Sequence, residues 1–138
     1  MDNVFSEILL HVVWKISSNS KKMTSPTQKI LREYLSDVID KKQFEIIEAA
    51  VTDDHIHILI KPSIEIQIKN SVFKLMDNCS DYLTQKMALQ NPPQWDLNFG
   101  VVSVSKAHLE MVVEYIRTQD IRHKSSKTNA TLEKTGGM

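Results

Sequence analysis

Apolar positions along this chain recur with two different spacings, and the switches between them divide it into seven predicted elements. Residues 4–16 are apolar and β-branched around Val12, Val13 and Trp14, which predicts a first strand. After a polar loop, Ser17 to Lys22, Ser25-Pro26 opens a helix. Pro26 suits the first helical position, and Gln28 is placed to close a capping box with Ser25. Ile30, Leu31, Tyr34, Leu35, Val38 and Ile39 follow at helical spacing until Lys41-Lys42. Phe44 to Val51 and His55 to Lys61 read as two strands of a hairpin joined by Thr52, Asp53 and Asp54. Pro62-Ser63 stops the second of these and caps a helix running from about Glu65 to Leu89. Asn91-Pro92-Pro93 breaks the chain. Trp95 to Val104 reads as a strand with Gly100 as a candidate bulge, and Ser105 caps a last helix to about His123.

Strand, helix, strand, strand, helix, strand is the split βαβ order of ferredoxin-like domains. The class is therefore α+β: an antiparallel sheet with helices on one face, plus an added C-terminal helix. A single domain over residues 1–124 is expected, followed by a polar, mobile tail over 125–138.

Composition narrows this picture only a little. Hydrophobic residues at 41% and charged residues at 25% are the balance of an ordinary globular domain. No apolar run is long enough to span a bilayer, and Met1-Asp2-Asn3 lacks the basic opening of a secretory signal, so a cytoplasmic protein is expected. The single cysteine, Cys79, excludes an intramolecular disulfide; among Met76, Ser80 and Leu83 it reads as a packed thiol. Seventeen basic residues balance seventeen acidic ones, so charge alone does not suggest a nucleic-acid partner. Lys15, Lys21 and Lys22 form one basic cluster, and Arg122, His123, Lys124 and Lys127 another. On charge alone both are ordinary solvated surface.

Two segments carry candidate chemistry. In His55-Ile56-His57-Ile58-Leu59-Ile60 the three isoleucines fix one face of a strand as the core face. His55 and His57 then share the opposite face, where two imidazoles can converge on one metal ion. Asp53 and Asp54 could orient a ring or a loop backbone. Two solvent-facing histidines are the plainer alternative. In the last helix, Leu109, Val112, Val113 and Ile116 form the apolar stripe, and Tyr115 and Gln119 lie together on its flank. Because Tyr115 lies off that stripe, Tyr115→Phe is expected to leave stability nearly unchanged; an amphipathic residue covering the core edge with its hydroxyl wet is the plainer reading of it.

These segments, taken in order, resemble the small single-tyrosine HUH transposases of bacterial and archaeal insertion sequences. The resemblance spans about residues 8–124. It is carried by His11-Val12-Val13-Trp14, Thr52 to Ile60, Phe99 to Ser105, and Tyr115-Ile116-Arg117-Thr118-Gln119. It implies that His55 and His57 are metal ligands with Gln119 as the third, and that Tyr115 is the nucleophile forming a 5′-phosphotyrosine. The metal would be Mg2+ or Mn2+. The partner would be single-stranded DNA with terminal hairpins, and the assembly a homodimer in which the tyrosine helix could cross to a neighbouring subunit. Lys15, Lys21, Lys22, Lys61, Arg122 and Lys124 are the candidate DNA contacts. A non-catalytic or domesticated nucleic-acid-binding relative and a small metal-dependent hydrolase are the alternatives.

Overall fold

The structure is a computed structural model; it describes residues 4–37, 39–40, 44–88 and 92–136. The elements are β1 (Leu10–Lys15), α1 (Ser25–Asp37), β2 (Ile39–Asp40), β3 (Phe44–Val51), β4 (His55–Pro62), α2 (Ile68–Met87) and β5 (Gly100–Ser103). A 3-10 turn (Lys106–His108) leads into α3 (Leu109–Arg117), α4 (Gln119–Lys124) and α5 (Ala130–Glu133). The sheet order is β2-β3-β4-β1-β5, every neighbouring pair antiparallel. The four longer strands follow the split βαβ order expected.

Alternation along β1 and β4 builds a core on each side of this sheet. Val12, Trp14, Ile56, Ile58 and Ile60 face α1 and α2, where Leu31, Leu35, Val72, Leu75, Met76 and Leu83 are buried against them. Cys79 belongs to this core, and burial pushes its thiol up to about 12. The other face carries His11, Val13, His55, His57 and Leu59. A second cluster of Leu59, Val104, Val112, Tyr115, Ile116 and Leu132 packs there. The added helix thus covers the face opposite α1 and α2, and the histidines lie between sheet and helix instead of facing water.

Several expected boundaries move. The first strand is shorter than 4–16. Residues 95–99 are outside β5, though Trp95 bridges Ile16. The cap of α1 is Thr24, whose Oγ1 accepts from the Thr27 amide at 3.3 Å, and Gln28 donates to the Met23 carbonyl instead of closing a box with Ser25. Ile39 pairs with Glu45 in β2 and not with the helix; Val38 and Lys41-Lys42 lie outside the described residues, as do Leu89 and Asn91. The second helix starts at Ile68, after Ser63 has bonded the Glu65 amide in a separate turn. Gly100 is no bulge: it stays in register with Val13. A Cβ there would collide with the Lys134 carbonyl oxygen, so glycine is needed for close backbone approach. No helix among the described residues is long and apolar enough to cross a membrane.

Candidate active site

The histidine pair sits at the start of β4, where the hairpin turn holds it. The Thr52 amide donates to the His55 carbonyl at 2.9 Å, closing the turn. Thr52 Oγ1 and Asp54 Oδ1 each lie 2.7 Å from His55 Nδ1. An Nδ1–H pointed at the Asp54 carboxylate leaves the Nε2 lone pair directed away from the turn. Burial alone would lower the His55 pKa, but Glu133 and Asp54 outweigh it and raise it.

His57 is fully buried, and its ring is held from behind. Its Nδ1 is 2.8 Å from Nε2 of His11, which is itself fully buried on β1. Burial, followed by the charge of His57, holds His11 at about 3, so it is a neutral ring. Burial likewise lowers His57, against the pull of Glu133. For His57 to offer Nε2 to a metal, its Nδ1 must carry the proton and donate to His11. His11 therefore selects between the tautomers of His57.

Glu133, from the C-terminal segment, is the residue on which the site converges. Its Oε1 lies 3.1 Å from His57 Nε2, 3.3 Å from His55 Nε2 and 3.6 Å from His123 Nε2. Its Oε2 accepts the Tyr115 hydroxyl hydrogen at 2.5 Å. Burial would raise the Glu133 pKa, but the His55 and His57 imidazoles beside it hold the carboxyl well below the usual range. Although 3.3 Å away, Glu133 does not meet hydrogen-bond geometry with His55 Nε2, which is buried without a hydrogen-bond partner. An orphaned imidazole nitrogen aimed at two other imidazoles and a carboxylate suits a divalent cation. His55, His57, His123 and Glu133 could hold one, since their donor atoms lie within 4.8 Å of one another.

Tyr115 is buried, not wet at the edge. Its hydroxyl also accepts from the Asn129 amide at 2.7 Å, and its ring centroid is 6.0 Å from that of His57 in the same chain. Burial raises its pKa, the Asn129 amide opposes this, and Glu133 adds to it. Gln119 is buried one turn on, beside His123. Its Nε2 donates to the Tyr115 carbonyl at 3.0 Å, and its Oε1 is 2.9 Å from His123 Nε2. That Oε1 keeps a second lone pair, with which it could coordinate while still accepting from His123.

Of the candidate DNA contacts, Lys15 and Lys22 border a groove of about 510 Å³ that also touches Asp54, His55, His123 and Glu133. Lys124 borders an adjoining depression with His55 and His123. Arg122 packs its guanidinium 4.9 Å from the Tyr115 ring centroid. Lys21 lines a different depression with Met23 and Pro93. Lys61 is six positions from His55 along β4, roughly 20 Å away. In the sequence alone His11 carries no sign of a role, His123 stands out only as part of a basic cluster, and Glu133 lies in the polar tail. The one available signal for Glu133 was Asn129 three positions before Leu132, a helix cap ahead of an apolar anchor.

A family model described as Transposase IS200 like matches residues 4–119. Among solved structures, a REP-associated tyrosine transposase bound to a REP hairpin is similar in fold. It has a TM-score of 0.60 and 16% identity over 89% of this chain and 74% of that one. A crystal structure of a provisionally named transposase from Deinococcus radiodurans R1 has a TM-score of 0.54 and 17% identity, over 86% of this chain and 95% of that one. No curated protein matches the sequence.

Proposed function

The chain belongs to the IS200-like transposase family, and from that premise we propose that it cleaves and rejoins single-stranded DNA through Tyr115, with a divalent ion at His55 and His57. The observation that carries this reading is the meeting of the Tyr115 hydroxyl and both imidazoles on one carboxylate, within one chain. The phenol oxygen would attack the scissile phosphorus, forming a 5′-phosphotyrosine as the bond to the 3′ oxygen breaks. The reverse attack by a 3′ hydroxyl would rejoin the strand, so the energy of the broken bond is kept. Burial works against ionising the phenol, and Glu133 Oε2 is placed to accept its hydrogen. A bound Mg2+ or Mn2+ would polarise the phosphate and stabilise charge on its oxygens; a nitrogen-rich donor set favours Mn2+.

Lys15 and Lys22 would receive the DNA backbone along the groove beside His55. The hairpin in the structure of the REP-associated relative supports hairpin-bearing DNA as the partner here. The proposed assembly is a homodimer in which each chain carries its own complete site. The test is incubation with single-stranded DNA and Mn2+, followed by detection of a covalent protein–DNA adduct. Wild type should form it, while Tyr115→Phe, His57→Ala and excess chelator should each abolish it. DNA binding without any adduct would replace this reading with a non-catalytic binding protein. Cleavage that survives Tyr115→Phe would replace it with a metal-dependent hydrolase.

A further inference from the structure

The family match ends at residue 119, yet the carboxylate at the centre of the site comes from residue 133. We propose that Glu133 is itself a ligand of the metal and ties that metal to the tyrosine. The proposal rests on the reading of His55 and His57 as a metal pair.

Several contacts place Glu133, and none is a general property of a polar tail. Asn129 caps α5 by accepting from the amides of Thr131 and Leu132 at 3.0 and 3.2 Å. Leu132 is buried in the second core beside Val112 and Ile116. The Lys134 carbonyl crosses Gly100 where no side chain would fit, and the Gly136 amide donates to the Asn98 carbonyl at 3.0 Å. The Asn129 amide and Glu133 Oε2 grip the Tyr115 hydroxyl from either side. The segment is thus fastened before and after Glu133, which sets the direction of its carboxylate.

The spacing fits coordination to one shared ion. Donors bound to one small divalent ion at about 2.1 Å sit roughly 3.0–3.4 Å from one another, from octahedral to tetrahedral geometry. Glu133 Oε1 is 3.1 and 3.3 Å from the nitrogens of His57 and His55, inside that interval, and 3.6 Å from His123, just beyond it. An ion pair would satisfy both buried nitrogens by hydrogen bonds, whereas only His57 Nε2 has one and His55 Nε2 has none. A carboxylate also adds negative charge and a hard oxygen to a set of neutral nitrogens, which strengthens it for Mg2+ or Mn2+. Its second oxygen stays on Tyr115, so one side chain would fix the distance between metal and nucleophile.

The test uses the full chain without DNA. Calorimetric titration with Mn2+ should show Glu133→Gln, nearly isosteric, binding at least about tenfold more weakly, the smallest loss typical even for an outer-shell partner. Glu133→Cys provides a direct readout: with Co2+ it should give the near-ultraviolet thiolate-to-cobalt absorption. Wild type should lack that band, because its only thiol, Cys79, is buried in the other core. If wild type binds metal and His57→Ala does not, unchanged affinity in Glu133→Gln with no band in Glu133→Cys overturns the assignment of Glu133 and leaves the histidine pair standing. If wild type binds neither Mn2+ nor Co2+, the metal reading falls, and this inference with it.

Discussion

Replacing Tyr115 by phenylalanine removes one oxygen that makes two hydrogen bonds in a buried setting. One is to the charged Glu133 carboxylate and one is from the Asn129 amide. Bonds to charged groups contribute about 1.5–3 kcal/mol and neutral ones about 0.5–1.5 kcal/mol. Glu133 remains 18% exposed, so water recovers part of the first, and a net cost of about 2 kcal/mol follows. For 138 residues the unfolding entropy near the midpoint is about 0.3 kcal/mol/K, so Tm should fall by about 7 °C. The position of Tyr115 off the apolar stripe of its helix would by itself imply almost no change. Calorimetric melts of wild type, Tyr115→Phe, Glu133→Gln and the double variant, all metal-free, provide the assay. The two single costs should not add, since each variant breaks the same bond, and a coupling of about 0.5–3 kcal/mol should appear. A Tyr115→Phe protein that melts with wild type and shows no coupling to Glu133 would refute the placement of the tail against Tyr115.

The other expectations follow from the same geometry. His11→Leu leaves His57 Nδ1 without its partner, and Mn2+ affinity should drop about 10- to 100-fold by titration; unchanged affinity would remove His11 from any role in orienting His57. His11 is held at about 3, below its unfolded value, so the unfolded chain binds the extra proton first as pH falls through about 6.5. The stability concerned is present above that pH and is lost towards pH 3, at up to about 1.4 kcal/mol per pH unit. His55, raised, runs the other way, so the check is whether urea midpoints of His11→Leu lose less than those of wild type between about pH 7.5 and pH 5; equal losses would contradict it. Gly100→Ala should push the Lys134 backbone off β5 and cost about 1–3 kcal/mol, with faster amide exchange at Leu132; normal protection there would show the close approach to be unimportant. Because one chain holds both His57 and Tyr115, mixing His57→Ala subunits with Tyr115→Phe subunits should restore no cleavage after confirmed exchange; restored cleavage would mean the helix crosses between subunits.

Local periodicity determined a good deal of this protein. The bounds of β3, Phe44–Val51, are those expected, and Ile56, Ile58 and Ile60 put His55 and His57 on one face, because side chains on a strand can point only two ways. The apolar stripe of α3 likewise fixed which side of it meets the sheet. A repeat of this kind says which face is buried but not what buries it. That His55 and His57 are covered by α3 and the tail, and are not open to solvent, depended on helices packing against both faces of the sheet. The break at Thr118 was equally hidden. The helical pattern runs through it, but the Thr118 hydroxyl bonds back to the Glu114 carbonyl at 2.8 Å where the helix divides into α3 and α4. Least legible was Glu133, 76 positions beyond His57 on a four-residue helix with a single buried apolar residue. So short a helix has no periodicity to detect and no stability alone. It forms because Leu132 joins the second apolar cluster, Gly100 lets the backbone pass and Tyr115 supplies a hydroxyl, and those three conditions meet only in the folded chain.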